Sequence, residues 1–297
     1  MIGISSVSFF NKDIIEALVE AASYRVDHIE IIAEFPHCYP PKIDASKRKR
    51  IMKIAEEFNL KLGVHAPFVD LNVAHINPDL RASSMLQIEE ALKFAKDIDA
   101  EYAVVHPGEI PRVVRNYLEI PTEQYRDFIE RVMIRIGNEI PGDLKLRDCS
   151  NFRELFHLYS IYSILEIKEK TGFEAVCIEN LSNPYSLCKT AEEHVQHLKY
   201  FEGCFDVGHA NVASNPFEHA KAVKERVKCI HIHDNSGKYD EHSPLGKGKI
   251  NFEAVIEVLG KDKWYTFEAL PMNVESITQS LPVLRKLLAN EKESQRP

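Results

Sequence analysis

Nine side chains of the types that bind metal ions lie at the ends of short apolar runs, or soon after them, along this 297-residue chain. The runs are KLGVHAP, YAVVHPG, AVCIEN, GCFDVGH, CIHIHD and YTFEAL. Such runs are typical of buried strands. When consecutive parallel strands each end in a ligand-type residue, the simplest arrangement is a closed barrel with those ends on one face. The nine residues are His65, His106, Glu179, Asp206, His209, His231, Asp240, His242 and Glu268.

The rest of the chain alternates between strand-like and helix-like patterns. The pattern predicts strands over residues 2–8, 28–32, 61–65, 102–106, 174–179, 203–206, 228–232 and 264–268. Amphipathic stretches between them predict helices over 12–23, 44–58, 80–98, 189–200, 215–225, 251–259 and 274–290. Eight alternating strands predict an α/β fold, a (β/α)8 TIM barrel, as one domain spanning residues 1–297.

One section interrupts this alternation, because the chain between His106 and Glu179 is longer than one helix needs. Residues 120–140 and 152–170 both have helical patterns, separated by PGDLKLRDCSN. We therefore predict a helical insertion over residues 110–170, after the fourth strand and on the active face. It is either a loop decoration or a lid or wall that selects the substrate.

Composition narrows the class of protein. No apolar run approaches the roughly 18–20 residues that span a bilayer, and the N-terminus resembles a strand more than a signal peptide. The six cysteines are scattered without a CxxC pair, which indicates a reducing, cytoplasmic compartment and no disulfide framework. The net charge of −8 argues against non-specific affinity for nucleic acid, although a local basic rim remains open.

Imidazole and carboxylate ligands without cysteine suit Zn²⁺, Mn²⁺, Fe²⁺ or Co²⁺. One ion takes about three or four protein ligands, so nine fit two or three ions if carboxylates bridge. Paired ions are a recurrent solution for phosphoryl chemistry, since they activate water and stabilise the leaving oxygen. We predict ordinary hydrogen-bonded core or loop positions for seven other histidines, namely His28, His37, His75, His157, His194, His197 and His219.

The segment HIHDNSGKYDEHSPLGKGKINF carries three further expectations. His231 and His233 face the same side of a strand, and we expect one to reach a metal and the other to support it. Asp240 and His242 have the same alternate spacing, so both can turn toward one ion. The pair of glycines around Lys247 is either a phosphate cradle of backbone N–H groups or a turn before the next helix.

The motifs HAPF, VVHPG, CIEN, DVGH, HIHD, DEHSPLGKG and FEAL, in this order, resemble the xylose-isomerase-like barrel superfamily. That superfamily includes the apurinic/apyrimidinic endonuclease IV family and the sugar-phosphate isomerase/epimerase family. The resemblance covers nearly the whole barrel and leaves the 110–170 insertion outside it. The DVGH segment departs from the DTCH-type segment typical of endonuclease IV, and DVGHAN and the DLN after HAPF are closer to the isomerases and epimerases.

The resemblance to endonuclease IV implies three zinc ions, with Mn²⁺ or another divalent metal as an alternative. His65, His106 and Glu179 would hold the first, and Glu179 would bridge to a second held by Asp206, His231 and Glu268. The third would lie among His209, Asp240 and His242. A one-metal isomerase or epimerase would use only Glu179, Asp206, His231 and Glu268.

Two functions follow as alternatives. The first is metal-dependent phosphodiester hydrolysis with abasic-site DNA as the leading substrate and Glu179 beside the attacking water. The second is isomerisation or epimerisation of a sugar or small phosphorylated sugar, with Glu179 and Glu268 as the catalytic residues that exchange a proton. A basic rim for DNA would come from five cations, namely Arg81, Arg112, Arg115, Lys247 and Lys249.

Overall fold

Eight parallel strands pair in chain order and close into a barrel, because the last strand pairs with the first. The structure is a computed structural model that describes residues 1–112, 114–115, 123–140 and 152–289. The predicted (β/α)8 barrel is confirmed. The strands are β1 (Ile2–Ser5), β2 (His28–Ile32), β3 (Lys61–His65), β4 (Ala103–Val105), β5 (Val176–Glu179), β6 (Glu202–Asp206), β7 (Val227–Ile232) and β8 (Trp264–Phe267).

Ten α-helices within the described ranges accompany the barrel strands. Most of them begin at a residue whose side chain accepts a hydrogen bond from the first turn, such as Asp13, Asp44, Asn77 and Thr190. The helices are α1 (Ile14–Ser23), α2 (Ala45–Glu57), α3 (Pro78–Asp97), α4 (Glu123–Glu139), α5 (Phe152–Thr171), α6 (Ala191–His197), α7 (Val207–Ala213), α8 (Pro216–Val223), α9 (Phe252–Leu259) and α10 (Val274–Leu288). None of the helices described is both long and apolar enough to cross a bilayer.

Two local differences from the predicted elements lie beside the barrel mouth. The first strand ends at Ser5 instead of residue 8, because the next four residues form a 3-10 turn in which the Ser6 hydroxyl accepts the Ile32 amide. The helix α7 was not predicted. It begins directly after β6, where the Asp206 carboxylate accepts the His209 amide and so starts a helical turn.

The helical segment between β4 and β5 has two parts. Helix α5 packs against α3, and its residues Ile161, Ile164 and Ile167 belong to the main core. Its first half instead forms a second apolar cluster with Ile136 of α4 and with Ile140, which follows that helix. The predicted 110–170 insertion therefore includes one helix of the barrel's outer layer. Residues 113, 116–122 and 141–151, which include Cys149, lie outside the described residues.

The barrel interior is filled by side chains below the mouth. Tyr102, Val104, Cys177, Cys204 and Cys229 are fully buried there and form one cluster. The described cysteines are all free and buried, as the sequence predicts. Glycines make room for the larger rings: a Cβ on Gly3 would overlap His28, and one on Gly63 would overlap Tyr102.

We predict that Gly3→Ala destabilises the protein by about 1–3 kcal/mol, because the added methyl group overpacks the barrel interior. Gly137→Ala is the matched control, since among the described residues no atom outside the backbone of helix α4 itself lies within 4 Å of its Cβ position. The control is expected to be neutral or to stabilise by up to about 1 kcal/mol. Thermal and urea unfolding measure both, and equal stability of the two variants would contradict this account of the interior.

Candidate metal centre at the barrel mouth

The structure brings all nine predicted residues together at the C-terminal ends of the strands, in three adjacent groups. Within each group the candidate ligand atoms lie within 4.8 Å of one another. Four of them end or lie near the end of a strand and the other five follow a strand, and parallel strands in a closed barrel place all of these ends on one face. The groups are His65, His106 and Glu179; then Glu179, Asp206, His231 and Glu268; then His209, His233, Asp240 and His242.

The first group surrounds one carboxylate oxygen. Oε2 of Glu179 lies 3.2 Å from Nε2 of His65 and 2.9 Å from Nε2 of His106. The two imidazole rings are close to perpendicular, with centroids 5.0 Å apart. Three potential ligand atoms therefore converge on one point from β3, from the residue after β4 and from β5.

The second group uses the other oxygen of the same carboxylate. Nδ1 of His231 lies 3.2 Å from Oε1 of Glu179, 3.5 Å from Oε2 of Glu268 and 3.8 Å from Oδ2 of Asp206. Glu179 is thus placed between the first and second groups, with one oxygen directed to each. This is the position that a bridging ligand requires.

The third group lies on the far side of Asp206. Oδ2 of Asp240 lies 2.9 Å from Nε2 of His209 and 3.1 Å from Nε2 of His242. His233 joins this group as well, with its ring stacked on that of His242 at 3.8 Å. Nε2 of His233 is also 3.2 Å from Oδ2 of Asp206, so the second and third groups are continuous.

Backbone carbonyls fix the orientation of several imidazoles. Nδ1 of His65 contacts the Ala66 carbonyl at 2.8 Å, and Nδ1 of His209 contacts the Asn180 carbonyl at 2.9 Å. Because a carbonyl only accepts hydrogen bonds, these Nδ1 atoms carry a proton. In a neutral ring Nε2 then presents its lone pair toward a carboxylate oxygen. A cation, either a proton or a metal ion, must lie between the two lone pairs.

Electrostatics show how strongly this site favours positive charge. Burial alone lowers the pKa of an imidazole, yet Glu30 and Glu179 raise the pKa of His231 well above its usual range. Burial likewise opposes the charged form of His242, but its hydrogen bond to Asp240 raises the pKa to about 9. Burial raises the pKa of a carboxyl, whereas His231 and His106 hold the pKa of Glu179 well below its usual range.

The donor set fits divalent cations. Glu30, Glu179 and Asp206 are at most 1% exposed, and burying a carboxylate costs several kcal/mol unless it is paired. Within the described part of the chain their ion-pair partners are histidines, with no lysine or arginine among them. Nitrogen and oxygen donors without sulfur suit Zn²⁺, Mn²⁺, Fe²⁺ or Co²⁺.

Two residues of the site were missed or underestimated by sequence reasoning. Glu30 is fully buried on β2, and its Oε2 lies 3.1 Å from Nε2 of His231. Its signal in the sequence is a charge in the apolar strand HIEII, two residues after the inward-facing His28. His233, expected only to support His231, lies with the third group, and a Cβ on Gly208 would overlap its ring. This overlap explains why glycine occupies the third position of DVGH.

The glycine pair around Lys247 is a turn and not a phosphate cradle. The amides of Gly246 and Gly248 donate to Oδ2 of Asp234 at 3.0 and 2.8 Å, and the Ile250 amide donates to Oδ1. A buried carboxylate of the protein itself therefore uses the N–H groups that a phosphate would need.

Only three of the five cations predicted to form a basic rim are exposed. Arg81 donates to Ser163 and lies over the Tyr159 ring, between α3 and α5. Arg115 is paired with Glu109. Three of the predicted cations are exposed, namely Arg112, Lys247 and Lys249.

A cavity of about 400 Å³ adjoins the first group. It is lined by Phe68, His106, Glu109 and Arg112, among other residues. The Phe68 ring lies 5.0 Å from the His106 ring and 5.2 Å from the His65 ring. A substrate bound in this cavity would therefore reach the first group directly.

A family model described as "Xylose isomerase-like TIM barrel" matches residues 18–134 and 160–287 of this chain. Among curated proteins, an uncharacterized protein of Methanocaldococcus jannaschii is 29% identical over 98% of this chain and 90% of its own length. A "Probable endonuclease 4" of Aquifex aeolicus is 23% identical over 84% of each chain.

Solved structures with the same fold include both enzyme classes that the sequence suggests. A "D-tagatose 3-epimerase-like protein" superposes with a TM-score of 0.76 at 26% identity and covers 99% of both chains. Endonuclease IV from Thermus thermophilus has a TM-score of 0.66 at 18% identity, covering 97% of this chain and 98% of its own.

We predict that Gly208→Ala destabilises the protein by about 1–3 kcal/mol, because the methyl group displaces the His233 ring. The double variant Gly208→Ala/His233→Ala removes the overlap and is expected to lose less than the sum of the two single changes. Urea unfolding of the four proteins measures this coupling. Strict additivity would show that Gly208 does not make room for His233.

Proposed function

This chain belongs to the xylose isomerase-like TIM barrel family, and we propose that within it the protein is a metal-dependent phosphodiester hydrolase with a three-metal site. DNA containing an abasic site is the first substrate to test. The observation that carries the proposal is the continuity of the three groups. Glu179 belongs to the first and second, and Asp206 contacts His233 of the third.

The balance of charge supports more than one ion. Five carboxylates face the mouth, from Glu30, Glu179, Asp206, Asp240 and Glu268. One divalent cation would leave three negative charges if the histidines were neutral, in a site largely closed to solvent. Three divalent cations would leave a small positive charge, which suits an anionic phosphodiester.

The protein residues have distinct tasks in such a reaction. Glu179 would hold two ions at once and accept a hydrogen bond from the attacking water. His231 would be kept in position by Glu30, and Asp240 would hold His209 and His242 toward the third ion. The bound ions would lower the pKa of that water and offset charge on the phosphate and leaving oxygens.

The side chains around the mouth suit a substrate that has flat apolar faces, such as those of nucleobases. Exposed large apolar side chains occur in loops that follow β2, β3, β7 and β8, all at the C-terminal end of the barrel. Bases stack on aromatic side chains in proteins that bind nucleic acids, and three of these side chains are aromatic, namely Phe35, Phe68 and Tyr239. Arg112, Lys247 and Lys249 add exposed positive charge. The apolar side chains are Phe35, Phe68, Val69, Tyr239, Leu270 and Met272.

The second candidate is a divalent-metal-dependent sugar or sugar-phosphate epimerase or isomerase. It is favoured by the 26% identity to a D-tagatose 3-epimerase-like protein across the full length of both chains. In this reaction only the second group would hold an ion, while Glu179 and Glu268 would remove and return a proton on the carbon next to a carbonyl. The first and third groups would then have no task.

Cleavage of abasic DNA tests the proposal. Metal-loaded protein is expected to cut duplex DNA 5′ to a single abasic site and to leave the same duplex without that site intact. Glu179→Gln is expected to lower the rate by at least about a hundredfold, because the variant loses the negative carboxylate that would hold two of the ions. Gel electrophoresis of end-labelled DNA measures the product.

His242→Ala separates the two candidates. It removes a ligand from the third group only, so a three-metal hydrolase is expected to lose most of its activity, whereas a one-metal epimerase keeps it. Circular dichroism checks that the variant is folded. An unimpaired His242→Ala protein, or epimerisation of ketoses without any DNA cleavage, would rule out the three-metal hydrolase.

Phe68→Ala tests the role of the apolar rim. If the ring stacks on a base, the variant is expected to lose about 1–3 kcal/mol of DNA binding. Hydrolysis of glycerophosphocholine, a phosphodiester without an aromatic ring to stack on Phe68, is expected to change much less. Leu86→Ala, at another exposed apolar side chain on helix α3, is the control. Equal effects of Phe68→Ala on both substrates would contradict the stacking role.

A further inference from the structure

A second cluster of metal-binding side chains lies outside the barrel mouth. His157 is on α5, Cys188 is in the loop before α6, and His197 is the last residue of α6. Their candidate ligand atoms lie within 4.8 Å of one another, and the three side chains are at most 1% exposed. We predicted ordinary hydrogen-bonded positions for both histidines. His197 has such contacts, with Nδ1 3.4 Å from the Glu193 carbonyl oxygen and Nε2 3.2 Å from Oγ of Ser160, and a metal ion would replace one of them.

His157 is not an ordinary hydrogen-bonded core histidine. Neither of its ring nitrogens has a hydrogen-bond partner among the described residues, although both are buried. A buried polar group without a hydrogen-bond partner is unfavourable, because it has lost its contacts with water and gained none in return. The nearest charged group is Oε1 of Glu193, 3.6 Å from Nε2, which is beyond hydrogen-bond distance. A ring in this situation, beside a thiol and a second imidazole, lacks a partner that a metal ion would supply.

We propose that His157, Cys188 and His197 bind a structural Zn²⁺ ion, with Oε1 of Glu193 as the fourth ligand. Two imidazoles, a thiolate and a carboxylate are a donor set that zinc accepts in tetrahedral geometry. The charges balance, since the thiolate and the carboxylate together neutralise the divalent ion. Binding releases the thiol proton of Cys188 to solvent.

Glu193 lies beside the cluster, with Oε1 3.6 Å from Nε2 of His157, but it is not within 4.8 Å of all three ligand atoms, so it would reach the ion by a small movement of its side chain. Its Oε2 accepts the backbone amides of Lys189 and Thr190 at 2.9 and 3.3 Å, in the capping box that begins α6. Arg153 pairs with the same carboxylate from α5. Nε of Arg153 donates to Oε1, so this oxygen would be shared between the guanidinium and the ion.

The ion would connect the helical segment after β4 to the loop after β5. That loop also contains Ser186, which pairs with Glu109 through an isolated antiparallel β-bridge. Ser186 and Glu109 both line the cavity beside the first metal group. Zinc bound to this cluster would therefore fix the position of the loop after β5, which forms one wall of the cavity. The proposal does not depend on which reaction the barrel mouth performs.

Cobalt substitution distinguishes this site from the barrel mouth, because no described group at the mouth contains a thiol. Co²⁺ bound by a thiolate has a charge-transfer band in the near ultraviolet, whereas Co²⁺ bound only by nitrogen and oxygen does not. The full-length protein, loaded with Co²⁺ alone after chelation, is expected to show this band. Cys188→Ser is expected to abolish it, and Cys38→Ser, at another fully buried free thiol, is expected to keep it.

His157→Phe provides a second test that leaves the thiol in place. If the ion binds, this variant loses the band, and the increase in melting temperature that Zn²⁺ gives the wild-type protein becomes smaller. If His157 is merely an unpaired buried ring, the variant keeps the wild-type response to Zn²⁺ and melts higher. That result would overturn the proposal, and so would a wild-type protein that binds Co²⁺ without the thiolate band.

Discussion

Burial of negative charge at the mouth of the barrel is the constraint on which the rest of the site depends. Parallel strands that close into a barrel point every second side chain inward. Here the upper inward positions carry Glu30, Glu179, Asp206, His231 and Glu268 in place of apolar residues. Such a layer is stable only with cations among the carboxylates. Protonated histidines can supply part of that charge, and divalent metal ions can supply all of it.

Surrounding contacts keep these groups in fixed positions. Asp206 has two roles, because Oδ1 caps α7 through the His209 amide while Oδ2 faces His231 and His233. Asn180 exchanges hydrogen bonds with the backbone of Asp206 at 2.9 Å in both directions, which ties β5 to β6 beside the site. A ligand that also caps a helix cannot rotate freely. The fold itself therefore holds the Asp206 carboxylate in one orientation.

The sequence predicts the barrel and the nine residues because both depend on local patterns. Each strand is a short apolar run, and each ligand-type residue ends such a run or follows it closely. The charge in the strand HIEII marks Glu30 as unusual, but the sequence could not show its task, which depends on His231, 201 residues away. Nor could it show that Asp234 uses the amides of the Gly246–Gly248 turn, or that His157 and Cys188 meet. These contacts arise from tertiary packing, which leaves no periodic signal in one chain.

The most direct test of the central claim is anomalous X-ray diffraction from crystals of the metal-loaded protein, recorded on both sides of the metal's absorption edge. We expect three peaks at the barrel mouth, with the first two on either side of the Glu179 carboxylate and the third beside Asp240. A single peak among Glu179, Asp206, His231 and Glu268, with protonated histidines elsewhere in the mouth, would contradict the three-metal site and favour the one-metal epimerase.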